Sequence, residues 1–340
     1  PIHGVSRLPV PMPPWPADPL RLITAVFGHL VSRLQAGCHP AAHAYNVGLN
    51  MRSTPTKGSS QSSPEDSGPS PAAQIQSDAL RQRVRQDYAR VAEASEAGAC
   101  CGVEAGCCGV SEDIQINTLL SLRLGYSEGD LAAVPEGADM GLGCGNPRAI
   151  ASLRAGEVVL DLGCGGGFDC LLAAREVGSD GHVIGVDMTP DMISKARRNA
   201  AQGGYQNVEF RLGEIEHLPV ADNAVHVIIS NCVINLSPDK GQVFREAFRV
   251  LRPGGRLAVS DVVATAELPD AMRADPLLHS GCMAGAAPIE ELQALLSDAG
   301  FQQVRIAPKE ESREFIRDWA PGRGVEDYVV SAYIEAVKPE

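Results

Sequence analysis

The stretch VVLDLGCGGGFD, residues 158–169, decides the fold. Four of its first five residues are branched and aliphatic, the composition of a short buried strand closing with Asp161 and Leu162, and they run directly into glycines at 163, 165, 166 and 167. Residues 168–177 then have the length and pattern of a helix. Glycines on a strand-to-helix turn let the backbone approach a ligand, and the helix start offers N–H groups with no intrahelical partner. The next strand, HVIGVD at 182–187, closes on Asp187, 20 residues after Gly167. A carboxylate there can accept both ribose hydroxyls of a bound nucleoside, so the pair of features points to nucleotide binding and would also suit an NAD enzyme.

Outward from this turn, apolar runs alternate with helix-length amphipathic segments. Further strands are expected at VEFRL (208–212), VHVIISN (225–231), RLAVSDVV (256–263), QVRIA (303–307) and YVVSAYIEAV (328–337). Helices are expected at 190–201, 239–250 and 288–299, with LRPGG (251–255) as the stop and turn after the second of these. The alternation predicts an α/β fold with a mostly parallel sheet.

Residues 1–76 are rich in Pro, Ser, Gly and Ala and lack periodicity, so they read as a disordered leader. Asp18 is the one acid within residues 1–60, against Arg7, Arg21, Arg33, Arg52 and Lys57, a transit-peptide composition that makes an organelle the alternative to a cytoplasmic location. The chain opens with Pro, and Met51 is an alternative start. From Ser77 the residues Leu80, Val84, Tyr88 and Val91 fall at helical spacing, with Ser77 or Asp78 as N-cap. The Gly/Cys stretch 98–109 ends that helix, and INTLLSLRLGYS (116–127) is a further short one. The expected division is a leader (1–76), an N-terminal extension (77–150), a cofactor-binding core (151–265) and a C-terminal part (266–340).

With 340 residues, 44% hydrophobic residues and a net charge of −13, the chain can bury a full core and would repel phosphate backbones and anionic lipid. Nucleic acid and membrane are therefore not expected partners, and a monomer is the expected state. The longest apolar stretch, residues 20–34, is broken by Arg21, His29 and Arg33 and is too short to span a bilayer.

DLGCGGGFD, GVDMTPDMI, FRLGEIEHLPV and AFRVLRPGGRL resemble the signature segments of the class I methyltransferases over about residues 155–265. The resemblance implies a Rossmann-like, mostly parallel seven-stranded sheet with helices on both faces and S-adenosylmethionine as cofactor. It further implies Asp161 near the methionine part, Gly163, Cys164, Gly165 and Gly167 beneath it, Asp187 and Met188 at the ribose, Glu214 and Ile215 beside the adenine, and Asn231 facing the reacting methyl.

Ten cysteines in a chain of this size read mostly as reduced thiols rather than a disulfide scaffold. Cys232 directly follows strand four, at the sheet end where ligands sit. Cys144 (GLGCGNP) and Cys282 (HSGCMAGA) lie in loops near the same edge. Each alone can be a small buried hydrophobe; together, three sulfurs suit Zn(II), Cu(I) or trivalent arsenic. Trivalent arsenic keeps a lone pair able to attack a sulfonium methyl without a general base. Cys170 reads as packing and Cys164 as a turn residue. His182, His217 and His226 read as structural, and Lys195 to Arg198 as a solvated helix face.

GLGCGNP, SNCVINLSPDK and GCMAGA, with VRQDYARVA upstream, are together similar to the arsenite methyltransferases. That resemblance implies arsenite, free or as its glutathione conjugate, held by Cys144, Cys232 and Cys282 in a site completed by the C-terminal segment. It also implies Cys100 as a redox partner, with Cys101 as the alternative, and a disulfide reopened by thioredoxin or glutathione. Cys107 and Cys108 add a second pair whose CC-x5-CC spacing does not fit a zinc knuckle. The implied activity yields mono- and dimethylated arsenicals and so detoxifies arsenic. Two rivals remain: a C- or O-methyltransferase for a quinone-like acceptor, which needs no cysteine set, and a non-catalytic thiol binder of arsenite or soft metals.

Overall fold

The computed structural model describes residues 70–94 and 112–340. The N-terminal helix α1 spans Pro71–Ala94 and begins earlier than the expected Ser77, because the Ser70 hydroxyl accepts from the Ala73 N–H at 3.3 Å and caps it there. After it come α2 (Glu112–Arg123), α3 (Glu128–Ala132) and α4 (Arg148–Ala151). The first of these ends at a turn where Gly125 has φ +99°, and α3 opens with a reciprocal capping box between Ser127 and Asp130.

The core alternates as its sequence pattern predicts: β1 (Val158–Leu162), α5 (Phe168–Val177), β2 (His182–Asp187), α6 (Pro190–Gln202), β3 (Val208–Leu212), β4 (Val225–Asn231), α7 (Lys240–Val250) and β5 (Leu251–Ala264). There follow α8 (Asp270–Arg273), α9 (Pro276–Ser280), α10 (Ile289–Asp298), β6 (Gln302–Lys309), α11 (Arg313–Trp319) and β7 (Val329–Val337). The sheet runs β3-β2-β1-β4-β5-β7-β6, and its sole reversed strand among those described is β7, antiparallel to both neighbours. LRPGG does not end the strand pairing. Leu251 already lies opposite Val225, then the register jumps so that Arg256 meets Val227, and the intervening residues bulge.

The strand pleat divides the core. Val159, Val183 and Val227 pack with α5 and α6 on one face, whereas Leu160, Ile184 and Ile228 pack with α7 and α10 on the other. Lys195 belongs to the first side: contrary to the expected solvated face it is only 5% exposed, and a Cβ on Gly137 would come 3.6 Å from its Nζ, so the 135–138 loop covers it. A third apolar cluster sits over the carboxyl ends of the strands and joins Val84 of α1 and Tyr126 to Phe315 and Ile316 of α11. Cys144, Cys232 and Cys282 lie in it. No helix of the described residues is long and apolar enough to cross a membrane.

Candidate active site

At the end of β1 the chain turns under its neighbour. The N–H groups of Gly163 and Cys164 both donate to the Val186 carbonyl, at 2.8 and 3.0 Å. Gly163 has φ +69°, and a Cβ there would meet Val233 Cγ2 at 2.4 Å, so no other residue fits. A Cβ on Gly165 would meet nothing within 4 Å, which leaves that face of the turn open. The space it faces is a cavity of about 1090 Å³, part of it open to solvent. Asp161, Gly163, Cys164 and Gly165 line it from the first turn, Asp187 and Met188 from the second, Ile215 from the third, and Asn231 and Cys232 from the fourth.

The cavity wall is acidic, with Asp161, Asp169 and Asp187 all on it. Asp187 accepts from the Gly165 and Thr189 N–H groups at 3.0 and 2.8 Å, yet burial still raises its carboxyl above the ordinary Asp range. Burial, and then the charge of Asp169, push Asp161 well above that range, and burial raises Asp169 as well. Cys170 is fully buried and donates to Asp161 Oδ2 at 3.2 Å, which is a packing and orienting role; burial pushes the neighbouring Cys164 thiol up to about 11. His226 is structural, its Nδ1 accepting from the Val158 N–H at 2.9 Å.

Cys144, Cys232 and Cys282 come from three separate loops and are 0%, 5% and 2% exposed. Cys232 stands between the other two thiols, within hydrogen-bonding reach of each, and is the one that borders the cavity. The sulfurs of Cys144 and Cys232 and a carboxylate oxygen of Asp261 lie within 4.8 Å of one another. Cys282 Sγ donates to the Cys232 carbonyl at 2.5 Å. Hydrogen bonding with Cys144 and Cys282, then burial, hold the Cys232 thiol well above its ordinary range. For Cys282 the bond with Cys232 pulls down, but burial and the Asp261 charge outweigh it and the thiol is raised. Both residues are forced into the left-handed region, at φ +62° and +63°.

A buried polar frame holds these loops. Asn231 Oδ1 accepts from the Cys144 N–H at 3.0 Å, Ser331 Oγ donates to the Cys144 carbonyl at 2.7 Å, and Asn235 Nδ2 donates to the Cys282 carbonyl at 3.2 Å. The Tyr88 hydroxyl donates to the Ser280 carbonyl at 3.1 Å, bringing α1 against the Cys282 loop. Asn231, expected to face a reacting methyl, borders the cavity and also places its amide oxygen on the Cys144 loop. Glu214 does not border the cavity; it pairs with Arg85, and with Arg81 at 3.7 Å. Gly167 lies behind the turn as the N-cap of α5. Cys100, Cys101, Cys107 and Cys108 fall outside the described residues. Arg81, Tyr88, Tyr126 and Asp169 also border the cavity and were not singled out as site residues. For Asp169 and Asp261 a signal existed, an acid inside an otherwise apolar segment; for Tyr126 there was none.

A family model described as a methyltransferase domain matches residues 153–300. An arsenite methyltransferase of Halobacterium salinarum is 56% identical over 266 residues, which cover 76% of this chain and 66% of that protein. The human arsenite methyltransferase is 43% identical over 157 residues, covering 44% of this chain and 42% of that protein. The crystal structure of an arsenic(III) S-adenosylmethionine methyltransferase from Chlamydomonas reinhardtii superimposes with a TM-score of 0.51 at 36% identity, covering 62% of this chain and 72% of that one. The chain thus spans less than two thirds of the length of these two curated relatives.

Proposed function

Because the chain belongs to the arsenite methyltransferase family, we propose that it transfers the methyl group of S-adenosylmethionine to thiol-bound trivalent arsenic. One observation carries this reading: three buried thiols from three loops meet at the strand end that borders the glycine-turn cavity. A quinone-type acceptor would give such a cluster nothing to do.

The cavity fits the proposed donor. Its glycine turn leaves open the side facing Gly165, Asp187 can accept hydroxyl hydrogens, and the buried acids Asp161 and Asp169 favour a ligand carrying ammonium and sulfonium charge. S-adenosylmethionine supplies an electrophilic sulfonium methyl. The protein's part is to fix the acceptor. Three neutral thiols displace three waters from As(OH)3 and form three As–S bonds, with Cys232 nearest the donor space. The arsenic lone pair then forms the As–C bond as the methyl leaves its sulfur, and arsenic passes from the trivalent to the pentavalent state. Return to trivalency takes two electrons: the Cys100 thiol attacks one arsenic-bound sulfur, that As–S bond breaks with its electron pair left on arsenic, a disulfide forms and a proton is released, and thioredoxin or glutathione reopens the disulfide. Placement beside the acid-lined cavity supplies proximity rather than acid–base catalysis.

The test is incubation of the full chain with arsenite, a thiol reductant and methyl-labelled S-adenosylmethionine. Labelled mono- and dimethylarsenicals are expected. Label transfer to a quinone-type acceptor, undiminished by serine at Cys144, Cys232 and Cys282, would overturn the proposal.

A further inference from the structure

Tyr126, Asp169 and Asn231 form a hydrogen-bond network in the cavity wall that contains fewer protons than bonds. The Tyr126 hydroxyl lies 2.8 Å from Asp169 Oδ1 and 3.0 Å from Oδ2. Asn231 Nδ2 lies 3.0 Å from that hydroxyl, 2.8 Å from the Gly145 carbonyl and 3.3 Å from Asp169 Oδ2. An amide nitrogen has two protons and a phenol one. Asn231 therefore faces three acceptors with two protons, so one of its contacts is always idle.

Each end of the network touches a different half of the site. Asp169 is 7% exposed, borders the cavity and lies near Asp161, so it belongs to the wall that favours a cationic ligand. Asn231 precedes Cys232 and holds the Cys144 loop from both sides, through the Cys144 N–H and the Gly145 carbonyl. That loop has no slack: a Cβ on Gly143 would come 2.6 Å from Asn231 Nδ2. Tyr126 is 5% exposed, packed at 4.9 Å and tilted by 59° against Phe168, and its hydroxyl is the shared member. Burial and the Asp169 charge hold that phenol neutral, hence a donor.

We propose that Tyr126 is a positioning residue that couples donor binding to arsenic binding, through Asp169 on one side and the Asn231-held Cys144 loop on the other. The inference rests on the methyl-transfer reading above. A cation set against Asp169 relieves its need for the Asn231 proton. That proton is then committed to the Tyr126 oxygen, the second stays on Gly145, and the Cys144 loop is fixed in its binding geometry. The donor thereby tightens the arsenic site, and by linkage arsenic tightens the donor site by the same factor.

Calorimetry on the full chain, with a phosphine reductant and S-adenosylhomocysteine to prevent turnover, tests this. In the wild type, S-adenosylhomocysteine is expected to strengthen arsenite binding by roughly tenfold, and arsenite to strengthen its binding equally. Tyr126→Phe is expected to bind each ligand alone while the coupling falls below about twofold. Asp169→Asn, which keeps shape and removes charge, supplies the second variant and is expected to lose the coupling too. Tyr205→Phe, whose hydroxyl bonds the Ala133 carbonyl at 2.9 Å away from this network, should retain it. Independent binding in the wild type, or undiminished coupling in Tyr126→Phe, overturns the inference. A wild type that binds neither ligand overturns instead the methyl-transfer reading on which it rests.

Discussion

Cys232 is the residue at which the two halves of the site meet, since it borders the cavity and stands between Cys144 and Cys282. Serine there removes a soft ligand but keeps the volume. Cys232→Ser is therefore expected to lower arsenite affinity by about a hundredfold or more, because an oxygen is a poor partner for a thiophilic centre. S-adenosylhomocysteine affinity should stay within about threefold, since the glycine turn and Asp187 are untouched, and calorimetry with each ligand separates the two effects. Asp187 carries a pH signature. Burial raises its pKa, so it takes up a proton at higher pH than a free Asp does, and once neutral it accepts ribose hydroxyls less well. Donor affinity should fall as pH drops from neutrality toward 5, and in Asp187→Asn it should be weaker and fall less steeply, the remaining slope coming from Asp161 and Asp169. A wild-type affinity independent of pH would contradict this assignment.

At the scale of elements, α1 closes one wall of the cavity. Arg81 reaches Glu216 at 3.2 Å, and Glu216, 3% exposed, also accepts from the Ser237 hydroxyl at 2.7 Å. Arg81→Ala leaves a buried carboxylate with one partner fewer, at a cost of about 1–3 kcal/mol. A lower Tm by thermal melt and weaker donor binding are expected, and Glu216→Gln in the same chain should recover part of the Tm. The elements that a sequence reveals are those with enough residues to show a period. Strands β1 to β4 and helix α5 fall on the expected residues, because β1, β2 and β4 are buried on both sheet faces and read as nearly unbroken apolar runs, while β3, at the sheet edge, alternates apolar with charged residues. Helices α3, α4, α8, α9 and α11 are one or two turns long and show no period to detect. The same limit applied to the site. Glycines and acids at strand ends are marked by their local sequence, whereas Tyr126 gains its place only through contacts with Asp169 and Asn231, distant in the chain. The cover over Lys195 comes from the extension around Gly137, outside the helix whose own pattern predicts a solvated face.

For the whole molecule, the open cavity at the top of the sheet means that ligand binding should be felt as global stability. S-adenosylhomocysteine at a hundred times its Kd adds about 2.7 kcal/mol. For a domain of this size that corresponds to a Tm increase of about 5–10 °C, measurable by calorimetric scan. No such shift would indicate that the cavity does not hold the donor. The left-handed backbone at Cys232 and Cys282 sets a different relation between site and scaffold. Such a conformation costs a non-glycine residue about 1–3 kcal/mol, and glycine would escape that cost at either position. Under the proposed function, backbone ease and arsenic binding therefore pull against each other at the same two codons: a laboratory selection for backbone relaxation alone would favour glycine there and would leave the cleft without its thiols.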